Sequence, residues 1–110
     1  MSLSHMDQPA HIVALDADVQ PADYLMETDT CTIGRSPLCQ IIVQRSNVSR
    51  LHAKIERHGA ECVLTDAGSA NGTFVNGRRI GAPYRLQNCD LIGLGGVVAL
   101  LRFTTTCPRF

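Results

Sequence analysis

The chain has 110 residues, sets 10 Lys and Arg against 10 Asp and Glu, and so carries no formal net charge. That length fits one domain able to bury a core without metal or disulfide staples, and the charge balance excludes nucleic-acid or membrane-surface binding by bulk electrostatics. No run approaches the length of a spanning helix and the N-terminus lacks the order of a secretory signal, so the expectation is a cytoplasmic protein whose charge-driven recognition is local.

In chain order, Met1 to Met6 resembles a cloning scar, and residues 1–9 are set apart from a domain expected over 10–110. From Ala10 onward short apolar runs recur between turn residues, the spacing of many short strands in an all-β sandwich or barrel. The expected strands are His11 to Leu15, Leu25 to Thr28, Cys31 to Ile33, Gln40 to Val43 and Ala53 to Arg57. Further along come Cys62 to Asp66, Thr73 to Val75, Arg78 to Ile80, Asp90 to Leu94 and Val97 to Phe103. Their breaks carry Gly34, Pro37, Gly59, Gly68, Gly81, Pro83, Gly95 and Gly96, which free or fix φ at reversals. Between Asn47 and His58 a helix competes, but Ala53, Ile55 and Arg57 alternate with Lys54, Glu56 and His58, which is the pattern of a half-buried strand. In the last run Val97, Ala99, Leu101 and Phe103 share one face and Val98, Leu100 and Arg102 the other, so a strand covered on both sides is expected. Pro108-Arg109-Phe110 reads as the start of a further tail.

Two Asn-Gly pairs flank a three-residue strand, Thr73-Phe74-Val75. Asn76-Gly77 is the expected hairpin, because two successive residues with positive φ match the twist of the strands they join. Asn71-Gly72 closes a run of small residues from Asp66 and reads as a shaped surface loop, the usual mounting for binding groups. Cys31, Cys39, Cys62, Cys89 and Cys107 form an odd set without zinc-ligand spacing and are expected to be reduced, small hydrophobes in or near the core.

Gly34-Arg35-Ser36-Pro37 places an Arg just past a strand, where its fork suits a phosphate or carboxylate; a solvated surface Arg is the plainer reading of that tetrapeptide. Ser49-Arg50-Leu51-His52 opens the Ala53 strand. A Ser49–His52 nucleophile pair conflicts with residues three apart facing opposite ways on an extended chain, and no G-x-S-x-G elbow surrounds Ser49. His52 is instead expected to bond backbone groups that hold nearby loops. Asn71 offers one amide acceptor and two donors, enough for a peptide main chain, or it is simply a turn residue. Asp66 and Asp90 are isolated carboxylates beside turns, which gives no acid/base pair or cation cage. There is no phosphate-binding P-loop, and Arg78-Arg79 has too few aromatic companions to indicate nucleic acid.

Taken in order, Gly34-Arg35, Ser49-Arg50-Leu51-His52 and Asn71-Gly72-Thr73-Phe74-Val75-Asn76-Gly77 resemble the signature of the forkhead-associated (FHA) domain, over about Thr28 to Phe103. The resemblance implies a β-sandwich of about eleven strands, FHA/SMAD-like, with ligand-binding loops at one end that take phosphothreonine peptides made by an upstream Ser/Thr kinase. It implies no catalysis, cofactor or metal. By motif position Arg35 and Ser49 would contact the phosphate, Arg50 would add a cationic donor and Asn71 would hold the peptide backbone, while Gly34, His52 and Gly72 would shape the loops. A phosphate of about −1.5 to −2 charge with three acceptor oxygens suits such donors.

Many family members carry Ser or Thr just before the Asn; here the residue is Ala70, and one missing hydrogen bond to a charged group is worth about 1.5–3 kcal/mol. That departure keeps open a phospho-independent interaction or assembly module using a lateral sheet face. For residues beyond the phosphothreonine, the resemblance points to Gln44 to Val48 and the loops around Gly59 and Gly93 to Gly96 as selectors.

Overall fold

The computed structural model describes residues 10–105. Residues 1–9, with the expected scar, and 106–110, with Cys107 and the expected tail, lie outside the described residues.

Period-two alternation builds the strands. In β6 (Ala53–His58) Ala53 and Ile55 are buried while Lys54 and Glu56 face outward, and in β7 (Glu61–Asp66) Cys62 and Leu64 are buried on the same side. Helix is absent from the described residues, including the contested stretch before His58. The remaining strands are β1 (Ala10–Ala14), β2 (Val19–Gln20), β3 (Asp23–Leu25), β4 (Thr30–Gly34), β5 (Ile41–Val43), β8 (Thr73–Val75), β9 (Arg78–Arg79), β10 (Tyr84–Arg85), β11 (Asp90–Leu94) and β12 (Val97–Thr105). They form two six-stranded sheets, ordered β3-β1-β12-β11-β8-β9 and β10-β7-β6-β4-β5-β2. Pairing is antiparallel except between β4 and β5, where only Ile33–Ile41 and Gly34–Ile42 face each other. A short loop suffices there because the parallel contact involves only the end of β4, with no long crossover to make. Ile33, Ile41, Ile55, Leu64, Ile92, Leu101 and Phe103 fill the space between the sheets at 0–1 % exposure, the close-packed core on which the loops are mounted.

The described residues form twelve strands, in line with a sandwich of about eleven. Val19–Gln20 and Tyr84–Arg85 are two-residue edge pieces, too short to show a period, and the register of β9 stops at Arg79, leaving Ile80 outside it. The strand expected from Leu25 to Thr28 lies earlier, at Asp23–Leu25, where it pairs with β1; the next residue still bonds the same neighbour, the Met26 N–H donating to the Ala10 carbonyl. β12 is not covered on both sides: Leu100 is buried, but Val98 is 58 % exposed and Arg102 faces solvent. A register shift in the β11–β12 pairing between Ile92 and Leu94 puts extra residues into β12 there, which accompanies this break in the expected pattern.

Asn76 (φ 51°) and Gly77 (φ 84°) make the hairpin between β8 and β9. The turn is also pinned sideways. Asn76 Nδ2 donates to the buried Asp90 at 2.9 Å, and Asn76 Oδ1 accepts from the Leu91 N–H at 3.0 Å. Cys31, Cys39 and Cys62 are buried, as small hydrophobes would be, and burial pushes the Cys31 thiol up to about 12. Cys89 departs from that expectation: it is exposed, in a left-handed turn conformation (φ 75°).

Candidate functional site

β4 ends at Gly34, and the segment leading into β6 passes directly over it. A Cβ on Gly34 would lie 2.1 Å from the Arg50 carbonyl oxygen and 3.0 Å from the His52 nitrogen. Gly34 is not among the residues with positive φ, so close approach, rather than the turn expected of it, is what requires glycine. Three backbone bonds follow from this contact: Arg35 N–H to Ser49 O (3.0 Å), Ser36 N–H to Arg50 O (3.1 Å) and His52 N–H to Ile33 O (2.9 Å). Arg35 and Ser49, distant in sequence, thereby become neighbours. The Arg35 side chain is exposed, and its Nε donates to the Val48 carbonyl at 3.0 Å, which fixes the stem and leaves the terminal nitrogens directed elsewhere.

His52 is fully buried and joins two loops. Its Nδ1 lies 3.0 Å from the Ser49 backbone nitrogen, a group that can only donate, so Nδ1 is the acceptor. The ring proton therefore sits on Nε2 and is donated to the Gly72 carbonyl at 2.8 Å. The Gly72 carbonyl also accepts from the Gly95 N–H at 3.0 Å, tying in the β11–β12 turn. Residues 49–52 bend rather than extend, so the premise that Ser49 and His52 face opposite ways does not hold. Even so, no nucleophile pair forms: the imidazole takes Ser49's amide, while Ser49 Oγ accepts from the Ala70 N–H at 3.1 Å.

Asp66 has a role that reading it as an isolated carboxylate missed. Its oxygens accept from Gly68 N–H (3.1 Å), Ser69 N–H (3.0 Å), Ser69 Oγ (2.5 Å) and Thr73 Oγ1 (2.6 Å). Ser69 Oγ in turn accepts from the Gly72 N–H at 2.9 Å. The loop 66–73 is thus folded around one carboxylate. The available sequence signal was an Asp followed two and three residues later by Gly and Ser, the pattern of a side chain that caps its own turn. Burial opposes ionisation of Asp66, but the hydrogen bonds from Ser69, Thr73 and Gly68 outweigh it and hold the carboxyl below its ordinary value.

The sign of the resulting pH dependence follows from linkage. A carboxyl lowered in the folded state contributes stability above its unfolded pKa and loses it as pH falls through the folded one. Urea midpoints should therefore be flat above about pH 5 and decline through the acid range. Asp66→Asn should flatten that decline and lower the neutral plateau by roughly 1.5–3 kcal/mol, the worth of hydrogen bonds to a charged group; an unchanged midpoint at pH 7 would remove Asp66 from this account.

Arg50 is exposed and has no carboxylate partner among the described residues. Asn71 is exposed, and its Nδ2 donates to the Asn47 carbonyl at 2.8 Å, leaving Oδ1 and a second proton uncommitted. Arg35, Ser49, Arg50, Asn71, Gly34, His52 and Gly72 are thus brought to one end of the sandwich, along with the loop 44–48 and the Gly95 turn. The loop around Gly59 is not brought there: Ala53 pairs with Asp66 at the site end and His58 with Glu61 at the other, about 17 Å away along β6. No His, Cys, Asp and Glu cluster among the described residues could hold a metal ion, and no helix is long and apolar enough to cross a membrane.

The fold and these loops define a β-sandwich recognition module whose polar residues converge at one end. The chain belongs to the FHA domain family, whose model matches residues 31–95. It is 42 % identical over 67 residues to human proliferation marker protein Ki-67, covering 61 % of this chain and 2 % of that protein. It is 40 % identical over 82 residues to the oxoglutarate dehydrogenase inhibitor of Corynebacterium diphtheriae, covering 74 % and 52 %. The chain thus spans a small part to about half of these relatives. A solved structure from a structural and functional analysis of phosphothreonine-dependent FHA domain interactions superimposes with a TM-score of 0.79 at 25 % identity, covering 91 % of this chain and 99 % of that one.

Proposed function

We propose that this domain, over residues 10–110, is a non-catalytic reader of phosphothreonine in a partner protein, placed downstream of a Ser/Thr kinase in the cytoplasm. The observation that carries the reading is the state of the Ser49 hydroxyl. Its oxygen is occupied as acceptor by the Ala70 N–H, so its own proton is left to donate, on a residue whose carbonyl takes the Arg35 N–H and whose neighbour Val48 anchors the cationic Arg35 side chain through Nε. Donors with no acceptor of their own, one of them cationic, are what a phosphate dianion requires. Arg35 and Ser49 take the phosphate, Arg50 adds charge from the rim, and Asn71 meets the peptide backbone with Oδ1 and its remaining proton. Gly34, His52 and Gly72 hold the loops at this spacing. The likeness to a domain described by phosphothreonine-dependent interactions supports the same reading.

Calorimetric titration with a degenerate phosphothreonine peptide library should give affinities of about 10⁻⁶ M, near −8 kcal/mol, and no heat with the unphosphorylated library. Equal binding of both libraries would replace this reading with a phospho-independent module.

A further inference from the structure

Acidic groups elsewhere on the molecule are mostly spoken for. Asp16 and Asp18 hold Arg45, Glu61 holds Arg85, and Asp23 and Glu56 face His11, Lys54 and His58. Arg35, Arg50, Arg78 and Arg79, by contrast, have no carboxylate partner among the described residues. A chain of zero net charge therefore carries a local excess of guanidinium groups close to the site. Arg35 and Arg50 belong to the phosphate reading; Arg79 does not.

Arg79 lies opposite Phe74 in the β8–β9 pair, and its head reaches back along β8 to Gly72. A Cβ built on Gly72 would come 2.7 Å from Arg79 Nε and 2.9 Å from its Cζ. The guanidinium therefore rests against the backbone of the residue that follows Asn71. Arg79 lines two adjoining surface grooves, of about 530 and 420 Å³, which share it and the segment 80–83; the first adds Arg78 and Tyr84, the second Thr65, Asp66 and Gly68. Asp66 lines the second groove with Arg79, but its carboxylate oxygens bond donors of its own loop and form no ion pair with the guanidinium.

We propose that Arg79 is a specificity-determining residue, selecting phosphothreonine peptides that carry a second anionic side chain, an Asp or Glu carboxylate or a second phosphate, on the stretch passing Asn71. The inference rests on the phosphothreonine reading. Arg79 then sits against Gly72, next to Asn71, and a peptide held by its main chain at Asn71 presents a neighbouring side chain to the Arg79 fork. Such a rim charge acts mainly on choice between peptides and on association rate, and it is screened by salt.

The test uses fluorescence anisotropy with phosphothreonine peptides identical but for one flanking position at a time, occupied by Ala, Glu, phosphoserine or Lys. At one position Glu or phosphoserine should bind roughly three- to tenfold tighter than Ala, with the ratio shrinking at high salt; which of the two gives the larger ratio separates the sources. Arg79→Gln should bring that ratio to one, and Arg79→Glu should invert it in favour of the Lys peptide. Arg102→Gln, a charge loss on the outer face of β12, should keep the wild-type ratio. A ratio that survives Arg79→Gln, or an absent preference in a wild-type domain that still binds the Ala phosphopeptide, overturns the role of Arg79 alone. No phosphopeptide binding at all overturns the underlying reading with it.

Discussion

Gly34→Ala should destabilise the domain by about 3 kcal/mol or more, well above the typical effect of a point mutation. The added Cβ would meet the Arg50 carbonyl oxygen at 2.1 Å, a backbone atom with no rotamer through which to escape. Relief requires β4 and residues 49–52 to part, which strains the three backbone bonds from Arg35, Ser36 and His52 that hold them together. Overpacking costs about 1–3 kcal/mol and each of the three bonds about 0.5–1.5 kcal/mol. At about 4–8 °C of Tm per kcal/mol for a domain near this size, the thermal midpoint should drop by more than about 12 °C. Gly81→Ala is the matched control, since nothing lies within 4 Å of its added Cβ and its φ is not left-handed; it should be neutral or stabilising by about 0.4–1 kcal/mol, through a less flexible unfolded chain. Equal Tm values for the two variants would mean that the close approach at Gly34 relaxes freely.

That glycine also marks where sequence reasoning reached its limit. The resemblance flagged Gly34 as shaping a loop, and local chemistry offered a turn as the reason; the physical cause is a contact with a segment sixteen and more residues away, which no local pattern encodes. Strands with several alternating residues, such as β6 and β7, were legible because period two survives over their length; β12 was legible as a strand, but the register shift against β11 breaks its alternation. Two-residue β2 and β10 were not, since two residues have no period and their pairing is set by β5 and β7.

For the candidate site, the sequence offered residues but not their wiring. Arg35, Ser49 and Asn71 stood out through the family motif. That Asn71 spends one donor on Asn47, that Ser49 Oγ accepts from Ala70, and that Asp66 braces the whole loop all depend on chain segments brought together only by the fold. Arg79 was set aside because its immediate neighbours gave it no context; its context is Gly72, two residues along the partner strand from the residue it faces.

Arg35→Ala should weaken phosphothreonine-peptide binding by roughly a hundredfold or more, while leaving stability within about 1 kcal/mol of wild type. The side chain is exposed, so its removal opens no cavity. What goes is a fork able to place two charge-assisted hydrogen bonds on one phosphate, each worth about 1.5–3 kcal/mol. Arg35→Lys separates charge from geometry. It retains a cation but loses both the fork and the Nε bond to Val48 that aims it, so it should recover only part of the loss, about tenfold. Ser49→Ala removes the hydroxyl that accepts from Ala70 and whose proton is proposed to go to the phosphate, with a loss of roughly ten- to hundredfold. In the opposite direction, Ala70→Ser adds a hydroxyl at an exposed position whose N–H already bonds Ser49 Oγ, and binding should tighten about tenfold. Titration of the same phosphopeptide into all four variants checks the set. If Arg35→Ala and Arg35→Lys bind alike, the contribution of Arg35 lies in its fork rather than in its charge; if neither differs from wild type, the phosphate is not held at Arg35, and Arg50, exposed and without a carboxylate partner, becomes the group to replace next.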